Sequence, residues 1–170
     1  MKVNKLSDFG YAFQVKLIAV LFKDRLFLQQ IIDILDSSYF ESESNIVILD
    51  MLKDYFKEYG TVPTLEAMKV KIVEIENDLL KKSIAENIKS AFQQMESDDL
   101  AFVKEKALEF CKNQEIKKAI VESVELLNRG DYDSIKAKVD NALKAGVEKD
   151  VGHEYIEHVD ERYLESVRNT

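Results

Sequence analysis

Tryptophan is absent from the 170 residues, proline and cysteine occur once each, and glycine occurs five times. A lone cysteine, Cys111, excludes an internal disulfide and fits a reducing compartment. So little proline and glycine leaves few places where a helix must break. No apolar run reaches the roughly 18 residues of a membrane-spanning helix. The best stretch, residues 15–22, is interrupted by Lys16 and stopped by Lys23-Asp24. The same charges stand where a signal peptide would carry its small-residue cleavage site. A soluble, cytoplasmic protein with no membrane partner is expected. None of the glycines precedes a lysine and Gly-x-Gly is absent, so the chain has no phosphate-cradling P-loop. Bases are also short: 24 Lys and Arg face 32 Asp and Glu, a net charge of −8. That balance argues against a broad phosphate-neutralising surface.

What is present is helical pattern. Apolar residues make up 46% of the chain, ordinary for a globular protein. They recur at three- and four-residue spacing almost throughout, with little strand-type alternation. The first helix is expected over about 10–22. Asp24 is placed to cap a second, carrying Phe27, Leu28, Ile31, Ile32 and Leu35. A third runs from about 44 to 59, and Gly60 suits its left-handed end. Pro63 biases Val62 toward extended backbone, and Thr64 can cap a helix carrying Leu65, Met68, Ile72 and Ile75. Another fits residues 78–95.

Residues 98–128 then run without glycine or proline. Their stripe is Val103, Ala107 and Phe110, then Ile116, Ile120, Val124 and Leu127, with a phase slip around 112–115. The slip implies that the first half packs on the body and the second half on something else. Arg129-Gly130-Asp131 reads as a tight turn into a helix over 134–145 with Ile135, Val139, Ala142 and Leu143. Two stripes joined by so short a turn should form an antiparallel hairpin. The expected fold is all-α: a helical body (1–97), a long helix and hairpin (98–145), and a linker with a docking helix (146–170).

Candidate chemistry is thin. His153 and His158 are five apart, about 140° around a helix, so one helix cannot bring both to one metal. Asp98 and Asp99 are adjacent and point apart, suiting a helix start. Cys111 follows Phe110 on an apolar face, with no histidine near in sequence to generate a thiolate. Lys81-Lys82 and Lys117-Lys118 are interleaved with acids, as on a solvated helix face. No catalytic residue, metal ligand or cofactor site is assigned.

Residues 155–168 are more informative. They carry Ile156, Val159, Tyr163 and Val167 at helical spacing on an otherwise acidic segment. Such a stripe needs a complementary groove, either on its own body or on another subunit or domain. The second is the reading carried forward.

Several stretches resemble a known family. Ser38-Tyr39-Phe40-Glu41-Ser42, then Glu58-Tyr59 and Val62-Pro63, are similar to the N-terminal domain of DnaB-type hexameric replicative helicases, most of all those of T-even-like phages. Val151-Gly152-His153-Glu154 and Glu161-Arg162-Tyr163 extend the likeness. In that phage family they correspond to the linker ahead of the RecA-like motor. Residues from about 72 to 127 match only in helical character.

The resemblance implies a collar domain that supports ring assembly, hexameric in the full-length protein, and docks primase and helicase loader in the host cytoplasm. It implies that ATP and Mg²⁺ belong to the parent helicase, whose motor translocates on single-stranded DNA. The P-loop and DNA-contacting loops of that motor are not in these residues, so no catalytic residue carries over. The residues expected at interfaces are Ile120, Val124, Leu127, Ile135, Val139 and Leu143 in the hairpin, and Ile156, Val159, Tyr163 and Val167 in the linker helix. Part of the hairpin set must be internal to the hairpin. The alternative is a stand-alone helical adaptor or inhibitor that binds a helicase or primase.

Overall fold

The computed structural model describes residues 5–147, and among them every regular element is a helix. There are seven α-helices: α1 (Tyr11–Lys23), α2 (Arg25–Ile31), α3 (Glu43–Tyr59), α4 (Leu65–Val73), α5 (Asp78–Gln93), α6 (Leu100–Asn128) and α7 (Tyr132–Lys144). Short 3₁₀ turns occupy Leu6–Phe9 and Ser37–Tyr39. The all-α class read from the periodicity is the class observed. The expected linker helix, with Ile156, Val159, Tyr163 and Val167, lies outside the described residues.

The body is organised around α1. Leu17, Ile18, Ala19, Val20 and Leu21 are all buried, so α1 is apolar around most of its circumference, the pattern of a helix enclosed by others. α2, α5 and α6 pack against it. It stops at Asp24, whose extended backbone breaks the helix while its side chain starts the next one. Oδ1 accepts the Phe27 N–H at 3.0 Å, satisfying a donor that has no partner inside the helix.

The same device recurs. Ser42 caps α3, Thr64 caps α4 and Asn77 caps α5, each accepting the backbone N–H three residues on. Gly60 ends α3 at φ +70°, a left-handed conformation that glycine adopts without a Cβ penalty. The amphipathic α3 turns Ile48, Leu49, Leu52 and Phe56 inward. One expectation is corrected: α2 ends at Ile31, although its apolar spacing continues to Leu35. Ile34 and Leu35 are buried all the same, from a turn closed by their N–H groups on the Ile31 carbonyl.

A polar pin crosses the α3–α5 contact. Ser44 and Asn45 are almost fully buried on α3. The Ser44 oxygen is 2.7 Å from Ser42 Oγ and accepts from Ser83 Oγ at 3.0 Å and from Asn87 Nδ2 at 2.8 Å. Asn87 Nδ2 also reaches Asn45 Oδ1 at 3.0 Å. Buried polar groups so fully partnered admit one arrangement of the two helices, because a shift would leave several of them unsatisfied.

Candidate interaction surface

α6 changes role along its length. Leu100, Val103, Ala107, Phe110 and Cys111 belong to the core of the body, and the Phe110 ring stands edge-on to Tyr39 at 5.3 Å. Beyond Lys112 the helix leaves the body and meets α7, the most extensive helix pair among the described residues. Gly130, at φ +71°, makes the turn between them. Asp131 caps α7 by accepting the Ser134 N–H and hydroxyl.

Two of the three residues buried between α6 and α7 are alanines. Ala119, Leu126 and Ala142 are the buried ones, with Ser123 half-buried and its hydroxyl bonded to the Ala119 carbonyl. Alanines let two helices approach closely, so the larger apolar residues are pushed to the flanks. Of the interface set read from the sequence, Ile120, Val124, Leu127 and Leu143 are 56–60% exposed. Ile135 and Val139 are half-buried. The row Ile116-Ile120-Val124-Leu127 is therefore not the row that meets α7. The contact row is turned one residue back, onto Ala119 and Leu126.

The two flanks of this hairpin differ in chemistry. Glu122 and Lys138 pair across it at 2.6 Å, and they line one depression with Glu115, Lys118 and Asn141. By helical phase, Ile120, Val124 and Leu127 lie on the other side of the α6 contact row. Val139 and Leu143 likewise lie on the other side of the α7 contact row. Since the polar flanks share one side, the apolar flanks share the opposite one. Tyr132, 68% exposed, falls on the apolar side. The sequence reading left it out, as it did Val121 and Phe102, which are exposed elsewhere on α6.

The base of the hairpin is fastened to the body. The Gly146 carbonyl accepts from Gln30 Nε2 at 2.7 Å. A Cβ at Gly146 would come within 2.9 Å of Leu108 Cδ1 and Lys112 Cε, and 3.0 Å of Ile34 Cδ1. The residue is left-handed at φ +77°, so its backbone calls for glycine.

The other candidates are accounted for by the body. Burial pushes the Cys111 thiol up to about 12, which keeps it protonated and unreactive at neutral pH. A depression of about 450 Å³ lies where Asp24 faces the start of α6. Two of its cations are engaged: Lys104 pairs with Asp24 at 3.0 Å, and Lys23 donates to the Met95 carbonyl at 2.6 Å. Lys118 sits over the Tyr39 ring, 5.5 Å from its centre. Among the described residues no cluster of three or more His, Cys, Asp or Glu is placed to hold a metal ion, and no helix is long and apolar enough to cross a membrane. His153 and His158 lie outside those residues.

No family model matches the chain, and no curated protein or solved structure does either.

Proposed function

We propose that this chain is a non-catalytic assembly and docking domain, of the kind that forms the collar of phage-type replicative DNA helicases. The observation that carries the reading is the apolar flank of the hairpin. Ile120, Val124, Leu127 and Leu143 stand together on the side of a two-helix arm, away from the core they could have joined. A large apolar residue on a solvated face does nothing for the stability of its own fold, and a cluster of them marks a surface that associates. In this reading the flank mediates contact with a second subunit of a ring. Primase and helicase loader dock on the assembled collar, and ATP, Mg²⁺ and single-stranded DNA belong to the motor of the parent helicase.

The test is light scattering over a concentration series, with the native chain and the Val124→Asp/Val139→Asp double variant. The native chain should self-associate. The variant should do so at least tenfold more weakly, with its helicity by circular dichroism unchanged. Undiminished assembly of a natively helical variant, or a native chain that stays monomeric throughout, would remove the hairpin from this role.

A further inference from the structure

A self-complementary patch joins two copies and stops there, because the first contact uses it up on both. A ring of more than two copies joined by one kind of contact needs two different surfaces on each chain, one meeting the other on the next copy. The arm supplies one such surface, and the second must lie elsewhere on the chain.

The exposed apolar side chains of the body gather in one place. Among the described residues the body exposes seven large ones, and three of them, Val70, Val73 and Leu79, fall within ten positions. Of the other four, Tyr59 lies against Tyr55 and Phe102 lies under Lys106. Val70 and Val73 are three apart on α4 and share a face, opposite Met68 and Ile72, which are buried in the core. They are 64% and 72% exposed. Leu79, in the first turn of α5 after the connection over 74–77, is 83% exposed.

The two surfaces differ in charge. By helical phase the apolar side of the arm carries Lys117 and no acid on α6, and on α7 its Lys136 is paired with Asp140 at 3.1 Å. Residues 66–79 hold four exposed acids, Glu66, Glu74, Glu76 and Asp78, against Lys69 and Lys71. Bringing the two together sets a basic rim against an acidic one, which steers the encounter and fixes its register. Two of the acidic corners brought face to face would repel.

We infer that the apolar flank of one copy seats on the α4–α5 corner of the next, with Ile120, Val124, Leu127 and Leu143 against Val70, Val73 and Leu79, and that this head-to-tail contact repeats around the assembly. The inference rests on the reading of the flank as an assembly surface and names the face that receives it.

The test is complementation between two variants of the full chain. Val124→Asp disables the flank. Val73→Lys disables the corner and leaves a base in the last turn of α4, where the helix dipole favours one. Each variant alone should remain monomeric by light scattering at concentrations where the native chain assembles. Mixed in equal amounts, they should double in mass and stop at two chains, since one intact flank then meets one intact corner. Circular dichroism checks that both keep native helicity, and Val70→Lys takes the place of Val73→Lys if that variant does not. Native-like assembly of Val73→Lys would show that the flank binds its own counterpart. Variants that stay monomeric when mixed would show that both fail at one shared face. Either result overturns the inference and leaves the flank as an assembly surface. Native-like assembly of Val124→Asp, or a native chain that stays monomeric at every concentration, would remove the reading of the flank as well.

Discussion

In its first half α6 is a wall of the core, and in its second half it is one side of an arm. Around Val103, Ala107 and Phe110 the large apolar side chains other than Phe102 are buried and the charged ones lie outside. Around Ala119 and Leu126 the arrangement differs: two alanines and one leucine make the buried contact with α7, and Ile120, Val124 and Leu127 face outward. One helix follows two rules because its halves answer to different demands. The body must exclude water to exist. The arm needs only enough contact to hold α7 in place, and its remaining apolar surface is free for another purpose.

The sharpest way to break this comparison is to apply one kind of change to both regions. Leu21→Ala, at a fully buried position of α1, should lower unfolding free energy in urea by about 2–5 kcal/mol through lost burial and a residual cavity. Val124→Asp on the arm should change it by only about 0.5 kcal/mol, the ordinary range for surface substitutions. Comparable losses at the two sites would mean that the arm is part of the cooperative core.

Within the body, Ser44→Ala should cost about 1–3 kcal/mol, because Ser83 and Asn87 lose a shared acceptor in a buried place. The loss should exceed that of Ser90→Ala, a half-buried serine on the same face of the sequence pattern but with no part in the pin. Equal losses would show that the pin contributes nothing specific.

Asp24 offers a smaller, pH-dependent effect. Burial alone would raise its carboxyl, but the Phe27 N–H and the Lys104 ammonium outweigh burial and hold it below the usual carboxylate range. A carboxyl depressed in the folded state stabilises that state above its unfolded pKa and loses the contribution as pH falls through the folded value. Asp24→Ala should therefore cost about 0.5–2 kcal/mol near neutrality, the usual worth of a helix cap. The gap from the native chain should close as the pH falls below about 4. A gap independent of pH would assign the effect to helix propensity and leave the ion pair without a role.

Much of this architecture was legible because it is local. Asp24, Thr64, Gly60 and Asp131 announce helix ends through chemistry that acts within three or four residues. The phase slip at 112–115 announced that α6 changes partners. Other features depend on residues far apart in sequence. Ser44 and Asn87 are 43 positions apart, and nothing near either one marks the bond between them. The end of α2 at Ile31 was invisible because Ile34 and Leu35 stay buried whichever backbone carries them. The row of α6 that meets α7 was not singled out, because hydrophobic periodicity ranks isoleucine and valine above alanine. Close helix packing ranks them the other way, and the pairing of Ala119 with Ala142 was the signal to weigh.

The seat of Gly146 has a mechanical consequence. The arm is held at its base twice, by the continuous backbone of α6 and by the Gln30 bond beside Ile34 and Leu108. A pull arriving at Val147 is therefore delivered to the body at this anchor and does not peel α7 away from its free end at Gly130. Load is thus taken at the base of the arm, and tension there can be borne without prising the hairpin apart.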